Sequence, residues 1–121
     1  MKSPSLLASF RYAWEGITHA FRTQRNFRIH TVISAAVGAA GLLLRVGGTE
    51  WAVLILTIGL VFLAELFNTA LEAVVDHVAP EFHALAKIAK DCAAGAVFVA
   101  ALAAVGVGVA IFGPRVLALV G

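Results

Sequence analysis

Charged side chains are scarce in this chain. Asp, Glu, Lys and Arg make up 13% of its 121 residues, about half the share of an ordinary soluble domain. Hydrophobic residues make up 61%. A soluble fold this small has too much surface to be built mostly from apolar side chains, so the composition fits a bilayer as solvent. Cysteine is nearly absent. Cys92 stands alone, which excludes a disulfide framework and a cysteine zinc site; a small buried apolar residue is the expectation there. The formal charge of +2 is too small to argue for nucleic acid as a partner. The phosphate loops G-x-x-x-x-G-K-[ST] and G-x-G-x-x-G are missing, as are kinase "HRD" and "DFG", so any nucleotide must bind by another arrangement. The basic N-terminal region shows neither the short apolar core nor the cleavage site of a secretory signal. There is no repeat of fixed period and no low-complexity linker, and the length suits one domain, 1–121.

What is present is helical patterning. Ser3-Pro4 reads as an N-cap followed by proline at the first helical position. From there to Arg22, Leu6, Leu7, Phe10, Ala13, Trp14, Ile17, Ala20 and Phe21 share one side, while Arg11, Tyr12, Glu15, Thr18, His19 and Arg22 share the other. This segment, 1–28, is too charged to cross a membrane and too sided to float free, so it is expected to lie on the headgroups. Three crossings are expected after it, over 29–48, 51–78 and 92–114. The first is rich in Ala and Gly, which lets helices approach closely. Trp51 opens the second at headgroup level. Pro80 breaks the helix, a short amphipathic segment follows, and "GPR" at 113–115 ends the third. In this topology Lys2, Arg11, Arg22, Arg25, Arg28, Lys87 and Lys90 share one side, against Arg45 and Arg115 on the other. The positive-inside rule then puts the N-terminus and the 79–91 loop in the cytoplasm.

The stretch "AELFNTALEAVVDHV", 64–78, sets acids into the second crossing. At about 100° per residue, Glu65, Asn68, Glu72 and Asp76 fall within about 80° of one another. A charged residue at the centre of a bilayer helix costs about 2.5–3.5 kcal/mol on the lenient scale, and like charges on one face repel. A divalent cation would offset this. Carboxylate and amide oxygens are the hard ligands that magnesium takes, usually with waters and phosphate oxygens. A carboxylate left unliganded can act as a general base. Asp76 also suits a solvated helix end. Glu65, about two turns deeper than Glu72, calls for a partner or a function. Lys90 can hold a phosphate as a point charge, or, with Lys87, merely express the positive-inside bias. His83 also suits an exposed loop, and Phe82 an interface anchor.

The order and spacing of "ELFNTALEAVVD", "EFH" and "AKD" resemble the signature of the small integral-membrane lipid kinases that include bacterial diacylglycerol kinase and undecaprenol kinase. The resemblance begins at "SFRYAWEGI" and covers nearly the whole chain. "RNFRIH" at 25–30 and "HALAKIAKDCAAGAV" at 83–97 are similar to the undecaprenol kinase branch. The resemblance implies an all-α membrane fold, an amphipathic surface helix plus three transmembrane helices, assembled as a homotrimer. It implies sites between subunits, on the cytoplasmic side of the bacterial cytoplasmic membrane. It implies ATP as phosphate donor, Mg2+ as cofactor and a lipid alcohol as acceptor: undecaprenol, giving undecaprenyl phosphate, or alternatively diacylglycerol, giving phosphatidic acid. By position, Glu65 matches the catalytic base and Glu72 a magnesium ligand. Asn68 and Asp76 support the site, while Tyr12, Glu72, Glu81, Phe82, His83, Lys90 and Asp91 match nucleotide-contacting positions. Two departures stand out. Gln24 occupies the place of a second metal-binding Glu and brings an amide oxygen without charge. Phe82 replaces a common Tyr and loses its hydroxyl. A reading of a different class remains for the acidic stripe, a non-enzymatic oligomer whose Glu65, Asn68 and Glu72 line a cation pathway.

Overall fold

The computed structural model describes residues 5–121; Lys2 and the helix start expected at Ser3-Pro4 lie outside them. Four helices follow one another: α1 Leu6–Thr23, α2 Arg25–Leu43, α3 Gly48–Val78 and α4 Ala84–Val120. α1 is capped by Ser5, whose backbone is extended and whose Oγ accepts from the Ala8 amide at 3.2 Å. The helical period read as far as Arg22 ends at Thr23, and within the 1–28 segment the chain turns at Gln24, which is extended at φ −110, ψ 111. The corner is held by Arg28. Its Nη1 donates to the carbonyls of Phe21 at 2.9 Å and Arg22 at 3.0 Å, two of the last-turn acceptors of α1 that have no partner inside the helix.

α2 ends at Leu43, short of the boundary expected at 48. Arg45 takes a positive φ of 54, and the Val46 amide reaches back to the Gly41 carbonyl at 3.1 Å. This is the six-to-one closure of a Schellman turn, with an arginine where glycine is usual. The strain of that conformation is offset because the turn buries Val46 against Leu54 and Ile111, with Val37, Trp51, Val107 and Phe112 packed around them. Gly41 is needed on the helix side of the turn. A Cβ there would stand 2.6 Å from Cη2 of Trp51, so the indole rests on bare backbone as well as marking a helix start.

α3 stops at Val78, just before Pro80, as the proline demands. His83 caps α4, its Nδ1 accepting from the Leu85 amide at 3.1 Å. The expected short amphipathic segment is the first part of α4 itself. Nor does "GPR" end that helix. α4 runs through Pro114 to Val120, and Arg115 holds the region in place. Its guanidinium donates to the Ile111 carbonyl at 3.0 Å and grips Glu50 at the start of α3, with Nη1–Oε2 and Nη2–Oε1 both 2.6 Å. Pro114 leaves the Ala110 carbonyl without its N–H partner, and the bonds of Arg115 to Ile111 and Glu50 fix the helix on either side of that break.

The longest packing seam joins α3 to α4, with α2 and then α1 laid more lightly against α3. Few apolar side chains are buried by it. Large ones such as Leu43, Leu56, Val99 and Leu102 face outward from α2, α3 and α4. Cys92, expected to be buried, is exposed too. In water such a surface would be costly at about 25 cal/mol per Å²; in hydrocarbon it is not. α3 and α4 are each long and apolar enough to cross a membrane. α2, about 28 Å long at 1.5 Å per residue, carries Arg25, Asn26, Arg28 and His30 in its first two turns. On α1, Leu6, Leu7, Phe10 and Trp14 are unpacked, Trp14 with 65% of its surface free.

Candidate active site

The acidic stripe on α3 lies where its period places it, but its members meet different surroundings. Glu65 turns inward against α2 and keeps only 2% of its surface exposed. Nε2 of His30 stands 3.2 Å from its Oε1. That approach is too far off line to count as a hydrogen bond, and Oε1 is left buried without one. One turn on, Asn68 donates from Nδ2 to Oε1 of Glu72 at 3.0 Å, while its own Oδ1 is buried without a donor. Native proteins rarely leave such acceptors unmet, and a buried unmet acceptor costs about 1–3 kcal/mol. Two of them lie on adjacent turns of one helix.

Farther along α3, Asp76 pairs with Lys90 across the α3–α4 seam, Oδ1 to Nζ 2.7 Å. Lys87 and Asp91 pair one turn apart at 2.6 Å. Both pairs are largely exposed, so they are weakly held and open to exchange for another anion or cation. They border a cleft of about 470 Å³ lined by Asp76, Glu81, Phe82, His83, Lys90 and Asp91, among others. Six residues singled out in the sequence are thus gathered at the α3–α4 turn. Phe82 is 83% exposed at its rim. Along α3, Glu72 lies about 10 Å beyond Glu65, and Asp76 about 6 Å farther.

Two expected members stay apart. Tyr12 is exposed on α1 beneath the Arg11 guanidinium, 5.2 Å from its ring centroid. Gln24 is half-buried at the α1–α2 corner, where its backbone makes the corner's hydrogen bonds. Among the described residues no three His, Cys, Asp or Glu side chains gather as a metal cage. The donor set that is present, the Glu72 carboxylate beside the buried Asn68 Oδ1, fits magnesium in its common mode. That mode takes one or two carboxylates and completes the shell with water and phosphate oxygens.

Two features were not legible as site elements in the sequence. His30 is one; its only signal is an ionisable ring at the end of "RNFRIH", just before an uncharged run. The other is the Glu50–Arg115 pair, whose members stand 65 positions apart. A second cleft, of about 380 Å³, opens between α2, α3 and α4. His30 borders it together with Ser34 and Thr57, and apolar side chains such as Ile33, Val61 and Val105 supply most of its walls.

Similarity to known proteins agrees with this geometry. A family model described as prokaryotic diacylglycerol kinase matches residues 11–112. The chain is 58% identical over 118 residues to a diacylglycerol kinase of Synechocystis sp., covering 97% of this chain and 67% of that one. It is 44% identical over 107 residues to the undecaprenol kinase of Bacillus subtilis, covering 88% and 87%. To the diacylglycerol kinase of Escherichia coli K12 it is 34% identical over 94 residues, covering 78% and 77%. An all-helical chain with a buried acid and these relatives is an enzyme of the lipid kinase class, with ATP as its phosphate donor. It belongs to the prokaryotic diacylglycerol kinase family. The non-enzymatic cation pathway finds no support in these matches.

Proposed function

We propose that the chain transfers the γ-phosphate of ATP to the hydroxyl of a membrane lipid alcohol, with undecaprenol as the acceptor. Diacylglycerol is the second reading, favoured by the name of the relative at 58% identity; undecaprenol is favoured by the relative at 44% and by "RNFRIH" and "HALAKIAKDCAAGAV". The observation that carries the proposal is the buried Oε1 of Glu65, an acceptor with no hydrogen bond of its own. A lipid hydroxyl donating to it completes its coordination and is thereby placed for deprotonation. Glu65 takes that proton as the alcohol oxygen attacks the γ-phosphorus and the bond to the departing ADP oxygen breaks. Phosphoryl transfer asks a protein mainly for positioning and charge. Lys90, released from Asp76, holds phosphate oxygens, and Glu81, Phe82, His83 and Asp91 shape the nucleotide's cleft.

Glu72 and Asn68 would hold magnesium, with Gln24 as a further oxygen donor and Asp76 supporting the motif. The ion's chemistry is to offset the phosphate charge during transfer. The order along α3 suits the two substrates: the base lies deep, near a greasy alcohol, and the charged cleft lies at the helix end, near water. In the proposed assembly α1 lies on the membrane surface and α2, α3 and α4 cross. The N-terminus and the α3–α4 turn face the cytoplasm. Three chains form a trimer with sites between subunits, which gives Tyr12 and Gln24 a route to the nucleotide that one chain alone does not offer.

The test is a side-by-side assay of undecaprenol and diacylglycerol in mixed micelles with Mg-ATP. Transfer to undecaprenol at the higher kcat/KM is the expected outcome. Faster transfer to diacylglycerol selects the second reading, and no transfer to either from folded protein overturns both.

A further inference from the structure

Glu65 meets a titratable side chain of another helix, His30 of α2. Among the described residues no Lys or Arg, and no His besides His30, comes within 4.0 Å of its carboxylate. The imidazole is 80% covered and the carboxylate 97% covered, so the two face each other largely out of water. A carboxylate and a bare ring nitrogen repel at 3.2 Å; with Glu65 ionised, as a base must be, the facing Nε2 carries the proton. The ring is fixed by its place in the fold. It lies on the second turn of α2, on the turn after Phe27, which is buried and meets Phe62 of α3 edge-on with ring centroids 5.1 Å apart. Phe62 precedes Glu65 by one turn of α3, so one aromatic contact sets the register in which His30 meets Glu65.

We infer that His30 is a positioning residue for Glu65: its imidazole, 3.2 Å from Oε1, packs against the buried carboxylate and fixes its direction, while the lone pairs of Oε1 stay open to the substrate hydroxyl. The inference rests on the proposed role of Glu65 as base. His30 does not line the charged cleft at the α3–α4 turn, and its one ionic partner among the described residues is Glu65, so its effect passes through the carboxylate. It also borders the apolar cleft between α2, α3 and α4, and that places the held acid beside a wall of aliphatic side chains. A group that only aims a base should matter for turnover and not for nucleotide binding.

The experiment measures kcat, KM for Mg-ATP and thermal unfolding in detergent for the parent, His30→Leu, His30→Gln, Glu65→Gln and the double variant His30→Leu/Glu65→Gln. His30→Leu should lower kcat about 10- to 100-fold, the scale of a misplaced reacting group, with KM for Mg-ATP within about twofold of the parent. His30→Gln, which restores a polar side chain beside the carboxylate, should recover most of the lost rate. The double variant should be no slower than Glu65→Gln, since His30 has nothing left to hold. A parent-like kcat for His30→Leu overturns the inference. So does a loss of rate that comes with a raised KM and is not recovered by glutamine, because that is the mark of general structural damage. Should the leucine variant fail to fold, a folded but inactive glutamine variant overturns the positioning role and a folded active one supports it. The parent's own phosphorylation of lipid is measured first: if that is absent, the kinase reading has failed, and if it is present while His30→Leu matches it, only the positioning role has failed.

Discussion

Glu50 and Glu65 are both acids on α3, and the two ends of that helix use them in opposite ways. At the Glu50 end both carboxylate oxygens accept hydrogen bonds. Oε1 accepts from the Gly47 amide at 3.0 Å and from Arg115 Nη2 at 2.6 Å, and Oε2 accepts from Arg115 Nη1 at 2.6 Å. The bidentate fork gives geometry as well as energy, and it ties the start of α3 to the end of α4 beside Pro114. At the Glu65 end the carboxylate is more deeply buried yet worse satisfied, with one off-line imidazole and an oxygen without a hydrogen bond. A satisfied acid holds a fold together. An unsatisfied buried one works against the fold, and under the proposed function the lipid hydroxyl offsets that cost.

That contrast can be broken in several places. The largest effect is expected from removing the divalent ion: EDTA should bring lipid phosphorylation to background, and excess Mg2+ should restore it. Phosphorylation that persists in EDTA would remove magnesium from the account. Next comes Glu72→Gln, expected to lower kcat about 10²- to 10³-fold, the scale seen when a transition-state charge stabiliser is lost, and to raise the Mg2+ concentration needed for half-maximal rate. A smaller change is expected for Lys90→Gln. KM for Mg-ATP should rise about three- to tenfold, a modest shift because the group is solvated and its present ion pair is weak; an unchanged KM would return Lys90 to the positive-inside bias. The smallest change in rate is expected for Arg115→Met. It should lower the unfolding temperature while turnover at 25 °C stays within about twofold. A large loss of turnover with unchanged unfolding would mean that the Glu50 end, too, serves the chemistry.

The same contrast explains what could be seen in the sequence. The stripe Glu65, Asn68, Glu72 and Asp76 was legible because one helix carries all four and helical period alone fixes their face. The gathering of Asp76, Glu81, Phe82, His83, Lys90 and Asp91 was nearly as legible, since a short turn at Pro80 must fold their segments together. Contacts that join distant segments were not. Glu50 finds Arg115 only because α3 and α4 pack against each other from the Asp76–Lys90 pair to the Glu50–Arg115 pair, and Pro114 was expected to end α4 because its missing N–H was weighed without Arg115 beside it. The corner at Gln24 depends on Arg28 reaching back over the chain to the Phe21 and Arg22 carbonyls, a side-chain bond that hydrophobic period does not register. The early stop of α2 has a similar cause. A left-handed arginine is disfavoured locally and is accepted because the turn buries Val46. His30 was visible as a letter in "RNFRIH" and became a neighbour of Glu65 only when α2 was laid on α3.

The most direct measurement is lipid phosphorylation by Glu65→Gln beside the parent, in the same micelles with Mg-ATP, with thermal unfolding followed on both samples. Loss of the general base should lower kcat about 10²- to 10⁴-fold, while the unfolding temperature stays level or rises because a buried charge has gone. Turnover by Glu65→Gln at the parent's rate would contradict the account.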